Sequence, residues 1–164
     1  MPANFSHLSP VRQFDDYSCW AASLKFWYKA AHNKYKSQTG LLDKFNHLSD
    51  DDGSMGELGL IHIMGACNMY PSLADPASQF SGEEVRNILA NYGPILVAYK
   101  SSSSRFKHVV VLHGIDEAGA MPYVHVMDPG AHFDQGTQKY VGRHVYKKLS
   151  EYNWFDKVIY GRKR

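Results

Sequence analysis

The run Gln13-Phe14-Asp15-Asp16-Tyr17-Ser18-Cys19-Trp20 decides how the rest of this 164-residue chain is read. After Ser18 the apolar positions Trp20, Leu24, Trp27 and Ala31 recur at helical spacing with no Pro or Gly inside, which predicts a helix from Ser18 to about Ala31. Cys19 therefore stands at a helix N-terminus, where unpaired N–H groups carry partial positive charge and favour a thiolate. Gln13, six positions earlier, offers a side-chain amide that, with the Cys19 N–H, makes two donors for an oxyanion. Trp20 is placed to cover a catalytic pair from water. These are the requirements of acyl transfer by a thiol, met within eight residues.

Working outward, Ser54 followed by Glu57 is a capping-box pattern, with Leu58, Ile61 and Met64 as the helical stripe behind it. Ser81 and Glu84 repeat the device before Val85, Ile88 and Leu89, and Gly93-Pro94 ends that helix. Beyond Pro94 the texture changes to β-branched and aromatic runs at Ile95 to Tyr99, His108 to Ile115, Tyr123 to Met127 and Lys157 to Tyr160. Ser101-Ser102-Ser103-Ser104 and Tyr70 to Phe80, with its two prolines, read as loops. The expected fold class is α+β: one domain over 1–164, with a helical lobe over about 1–93 carrying the nucleophile helix and a small antiparallel sheet lobe over about 94–164.

A thiol nucleophile needs a base, and the nine histidines must be reduced to one. Glu117-Ala118-Gly119-Ala120 reads as a hairpin turn. A turn centred on Ala118 without a bulge sets His108 opposite Asp128, where the carboxylate can orient the imidazole. The same register sets His113 opposite Tyr123 and His125 opposite Val111, so neither gains a carboxylate. A one-residue bulge would change this register. His108 also lies at the strand end farthest from the turn, beside the serine-rich loop. Cys67, inside a helical run without an oxyanion donor near it, reads as a buried inert thiol.

Composition excludes other classes. A formal charge of +2 does not suit a nucleic-acid binder, although Lys147-Lys148 and Arg162-Lys163-Arg164 make the C-terminal end locally basic. There is no apolar run long enough to span a membrane and no charged-then-apolar N-terminus of a signal peptide. Two cysteines are not a disulfide framework and suit a reducing compartment. No Cys or His pair has zinc-ligand spacing, Asp50-Asp51-Asp52-Gly53 lacks the alternating ligands of a calcium loop, and no Gly-rich phosphate loop is present, so neither metal nor cofactor is expected.

Gln13, Cys19-Trp20, His108 and Asp128 resemble the papain-like superfamily in identity and order. Tyr17-Ser18-Cys19-Trp20-Ala21-Ala22, Gly93-Pro94, His108-Val109-Val110-Val111-Leu112-His113-Gly114-Ile115-Asp116 and Asp128-Pro129 look most like the avirulence-type effector cysteine proteases, which plant-associated bacteria deliver into host cells. The resemblance spans roughly Val11 to Pro129. It implies a Cys19-His108-Asp128 triad with Gln13 in the oxyanion hole and a protein or peptide substrate. It further implies a host activating factor or a cognate inhibitor as a conceivable partner, and export without a cleaved signal peptide into a target-cell cytoplasm. The chain is shorter than papain, so substrate preference does not carry over. A deamidase, transglutaminase or peptidoglycan amidase of the same fold remains the alternative, as does a catalytically silent binding module. A transporter-fused leader peptidase is disfavoured, because Trp rather than Gly follows Cys19.

Overall fold

A computed structural model describes residues 4–51, 53–74, 79–100, 107–116, 121–152 and 158–164. Among the described residues, four α-helices and six strands follow the order α1 (Cys19–His32), α2 (Gln38–Phe45), α3 (Glu57–Ala66), β1 (Met69–Ala74), α4 (Gly82–Tyr92), β2 (Ile95–Lys100), β3 (Lys107–Asp116), β4 (Tyr123–Asp134), β5 (Lys139–Lys148) and β6 (Val158–Lys163). The strands form one sheet in the order β1-β6-β2-β3-β4-β5, every neighbouring pair antiparallel.

The sheet is covered on both faces, as alternation along its central strands dictates. Leu96, Ala98, Val109, Val111 and Ile159 point to the core shared with α1, α2 and α3. Val97, Val110, Leu112, Val158 and Tyr160 point to a second core that contains Val85, Ile88 and Leu89 of α4. Helix α1 buries Cys19 through Leu24, Phe26 and Trp27. Ala21 and Ala22 let it approach closely, while the Ser23 hydroxyl donates to Val109 O (2.8 Å) and the Trp27 indole N–H to Pro94 O (2.9 Å). These bonds fix where Cys19 stands relative to β3.

Several expectations need correction. Helix α3 forms where predicted, but its N-cap is Gly56 rather than Ser54, with no side-chain cap. Leu58 and Ile61 are exposed, and the buried stripe is Leu60, Ile63, Met64 and Cys67, one helical step round. In α4 the Ser81 hydroxyl accepts from Glu84 N (3.2 Å) and Gly93 ends the helix at φ 82°, as read from sequence. Residues 70–74, expected as loop, belong to β1, which lies within 1–93 yet pairs with the C-terminal strand β6. Pro71 is tolerated there because β1 is an edge strand. Ser101–Ser104 and the turn Glu117–Ala120 lie outside the described residues.

The β3–β4 register also differs. The pairs are Asp116↔Tyr123, Ile115↔Val124 and Gly114↔His125, then Leu112↔Val126 and Val111↔Met127. His113 is the extra residue of a bulge, so Leu112 and Ile115 both serve the second core. Continued past the bulge, this register sets Asp128 opposite Val110 and diagonal to His108 on the same face. Diagonal neighbours remain within reach of a long side chain.

Candidate active site

The nucleophile loop is held by its own side chains. Ser18 is not a side-chain cap for α1; instead its buried hydroxyl accepts from Phe14 N (3.0 Å) and Asp15 N (3.2 Å). Asp15 Oδ1 accepts from Tyr17 N (2.8 Å), and the Tyr140 hydroxyl of β5 donates to Asp16. Cys19 is then the first residue of α1, so its N–H points out of the helix start rather than at a carbonyl four residues back.

The loop docks on an irregular stretch of β4. Between Asp128↔Arg143 and His132↔Val141, β4 advances four residues while β5 moves two, so Pro129 to Ala131 bulge from the ladder. Gln13 N donates to Pro129 O (2.9 Å). A Cβ on Gly130 would press on the Gln13 amide and turn it aside, and one on Gly142 would run into the backbone of Val11 and Arg12. Gln13 is 4% exposed. Its Nε2 donates to Asp15 O (2.6 Å), leaving a second N–H, while Oε1 has no hydrogen-bond partner among the described residues.

Asp128 opens the bulge, and its Oδ1 accepts from Gly130 N (2.9 Å) and meets His108 Nε2 at 2.7 Å. With Nε2 engaged, Nδ1 is the ring nitrogen left for the hydrogen bond that His108 makes with the Cys19 side chain. Burial alone would lower the imidazolium pKa. The hydrogen bonds and electrostatic attraction of Asp128 and Cys19 outweigh it and raise His108 to about 10. Burial would likewise raise the Asp128 carboxyl, but the His108 hydrogen bond and charge, the Gly130 N–H and Lys147 hold it below the usual carboxylate range. The arrangement is a cysteine beside an imidazolium beside a carboxylate, where the N-terminal end of α1 meets the start of β3 and the bulge of β4.

Of the residues singled out in the sequence, Cys19, His108 and Asp128 are thus brought together, and Gln13 lies against the same bulge. Trp20 is 1% exposed in the main core. Among the described residues, Tyr99 lies edge-on to His108 at 5.9 Å; Tyr152 lies edge-on to Tyr99 at 6.0 Å, and Lys147 Nζ sits 3.9 Å from the Tyr152 centroid. Sequence reasoning missed this stack. The β2–β3 pairing that sets Tyr99 opposite His108 was the signal available. His125, expected to lack a carboxylate, meets Asp116 at 3.3 Å, because the bulge moves its partner to Gly114. Cys67 is a buried free thiol whose pKa burial raises, in keeping with an inert role.

The fold is shared with solved structures, two of which illustrate it. The peptidase domain of Streptococcus ComA, a bifunctional ABC transporter involved in a quorum-sensing pathway, matches with a TM-score of 0.60 at 15% identity, covering 94% of this chain and 98% of that one. A double-glycine-motif protease from an AMS/PCAT transporter, solved with a leader peptide, matches with a TM-score of 0.61 at 14% identity, covering 97% and 94%. No curated protein matches by sequence. The family model described as papain-like cysteine protease AvrRpt2 matches residues 8–149. A Cys-led helix packed on an antiparallel sheet, matched to that model over most of its length, makes this chain a member of the AvrRpt2 family of papain-like cysteine proteases.

Proposed function

We propose that this cysteine peptidase hydrolyses internal peptide bonds through a Cys19-His108-Asp128 triad, residues 1–164 acting as one catalytic unit. The observation that carries the assignment is His108, bonded through Nε2 to Asp128 at 2.7 Å and through its other side to Cys19. Cys19 thiolate attacks the carbonyl carbon, and the second Gln13 N–H with the Cys19 N–H receives the oxyanion. Protonated His108 gives its proton to the departing amine, whose loss leaves a thioester on Cys19. Neutral His108 then takes a proton from water, whose oxygen attacks the thioester and releases the acid. Asp128 holds the imidazole orientation and stabilises its cation throughout. The leader peptide bound by a fold relative supports a peptide as the occupant.

Family membership supports a role as a bacterial effector, exported without a cleaved signal peptide and acting on a protein in a target cell. No helix among the described residues is long and apolar enough to cross a membrane. The test is cleavage of a diverse peptide library under reducing conditions by the natural protein and by Cys19→Ala, read by mass spectrometry. New termini that vanish in the variant are expected. Intact peptides with Cys19-dependent ammonia release would instead make the enzyme a deamidase.

A further inference from the structure

The wall behind the nucleophile loop forms an open groove of about 760 Å³. Segment 7–12 and Phe14 make one side, the outer face of α1 the second, the start of α2 the third and β5 the floor's edge. Its chemistry is one-sided. Arg12, Lys25 and Lys29 line it, and no aspartate or glutamate does. None of the three cations is in an ion pair among the described residues: Lys25 lies over the Tyr35 ring at 5.3 Å and Lys29 donates to Asn33 Oδ1 at 2.6 Å. Phe14, Phe26 and Tyr35 line the same groove, with Phe14 and Tyr35 52% and 74% exposed. Gln38 is 4% exposed in the same wall, and its amide nitrogen has no acceptor among the described residues. Cations, aromatic faces and an amide donor together call for a ligand with carboxylates and a bulky apolar group.

The groove begins at the catalytic loop. Arg12 and Phe14 flank Gln13, and Phe14 N is bonded to the hydroxyl of Ser18, the residue before Cys19. From there it follows α1. Lys25 and Lys29 lie six and ten residues past Cys19, about 9 and 15 Å along the helix at about 1.5 Å per residue. An extended peptide covers that span in about three to five residues at roughly 3.3 Å each.

We propose that this groove is a substrate subsite that selects an acidic, aromatic-bearing stretch about three to five residues from the scissile bond. The proposal rests on the peptidase reading above and deepens it by naming the substrate class.

The test compares the natural protein with the triple variant Arg12→Glu/Lys25→Glu/Lys29→Glu on a peptide library, with near-UV circular dichroism confirming the fold. The natural protein is expected to enrich Asp and Glu at those positions. In the triple variant the ratio of kcat/KM for acidic over basic peptides should fall by at least about tenfold, mainly through KM. If the triple variant does not fold, Lys25→Ala should move the ratio in the same direction by about twofold. An identical preference in natural and variant proteins, or no acidic preference at all, overturns the subsite. If the natural protein cleaves nothing, a fluorescent peptide bearing two glutamates and a phenylalanine is titrated into Cys19→Ala at low salt. Binding that the charge reversals weaken upholds the groove even though the catalytic reading has failed, and absence of binding rejects it.

Discussion

At the scale of single residues, the proposed chemistry turns on the hydrogen bonds of one imidazole. His108 is lifted to about 10 because Asp128 and Cys19 outweigh the burial that would lower it. A raised pKa means the imidazolium persists from acid up to about pH 10 and is lost above it, so the alkaline limb of kcat/KM should lie near that value. In Asp128→Asn the amide still meets the ring but the charge is gone, and the limb should move down by a pH unit or more, with kcat falling on the order of tenfold to a hundredfold. A pH–rate profile checks both, and an unmoved alkaline limb would remove Asp128 from the account. Gln13→Ala should lower kcat by about a hundredfold, the typical loss of one oxyanion donor, with a smaller change in KM. Single-turnover kinetics separates that from misplacement of the loop, because a true oxyanion donor acts on the acylation step itself.

At the scale of elements, the catalytic loop is as good as the surfaces that clamp it. Val11 and Arg12 cross β5 at Gly142 so closely that any Cβ there meets backbone, which cannot rotate aside. Gly142→Ala should destabilise the protein by about 1–3 kcal/mol and reduce kcat/KM more than an equally destabilising change in the second core, such as Val97→Ala. Thermal unfolding beside kinetics makes that comparison. A second clamp holds the segment before it. Phe5 N donates to His113 Nδ1 (3.3 Å), His113 Nε2 meets His144 Nδ1 (3.0 Å), and His144 Nε2 meets Leu8 O (2.6 Å). Every link is satisfied with both rings neutral. His113 is fully buried, with His144, His125 and His7 also facing it, and burial first, then those histidines, lower it to about 3. The unfolded chain takes that proton near pH 6.5 and the folded one does not, so stability is full above 6.5 and drains as pH falls toward 3. The urea midpoint should drop over that range, and less steeply in His113→Gln, although the variant starts about 1–3 kcal/mol lower. Parallel pH curves would show that other groups carry the loss.

At the scale of the molecule, the elements legible in the sequence are those with an apolar stripe or run and a clear start: the helices α1, α3 and α4 and the strands β2, β3, the first half of β4 and β6. The edges were not legible. β1 contains Pro71 and exposes Tyr70 and Leu73, and β5 is half-buried along most of its length with Lys139, Arg143 and Tyr146 exposed, because an edge strand packs little and must repel pairing with other chains. The short helix α2, with Thr39 and Gly40 in its first turn, shows too little periodicity to stand out. That Cys19, His108 and Asp128 come together was legible although the register was not, since a His at the start of β3 and an Asp at the β4 bulge meet by direct or diagonal pairing. Least legible was the weight of the C-terminal strand. The family match stops at residue 149, yet β6 lies between β1 and β2, pairing six residues with one and four with the other. It sends Ile159 to the core under α1 and Val158 and Tyr160 to the core under α4. A chain ended at Tyr152 would lose three buried side chains at about 2–5 kcal/mol each, against a total stability of about 5–15 kcal/mol. It would also expose the unpaired edge of β2, an apolar run from Ile95 to Tyr99. The truncated protein should therefore show no cooperative urea transition and should aggregate, with no Cys19-dependent cleavage. A folded, active chain ending at Tyr152 would mean that β1 can close directly on β2 and that the two cores do not depend on the strand they share.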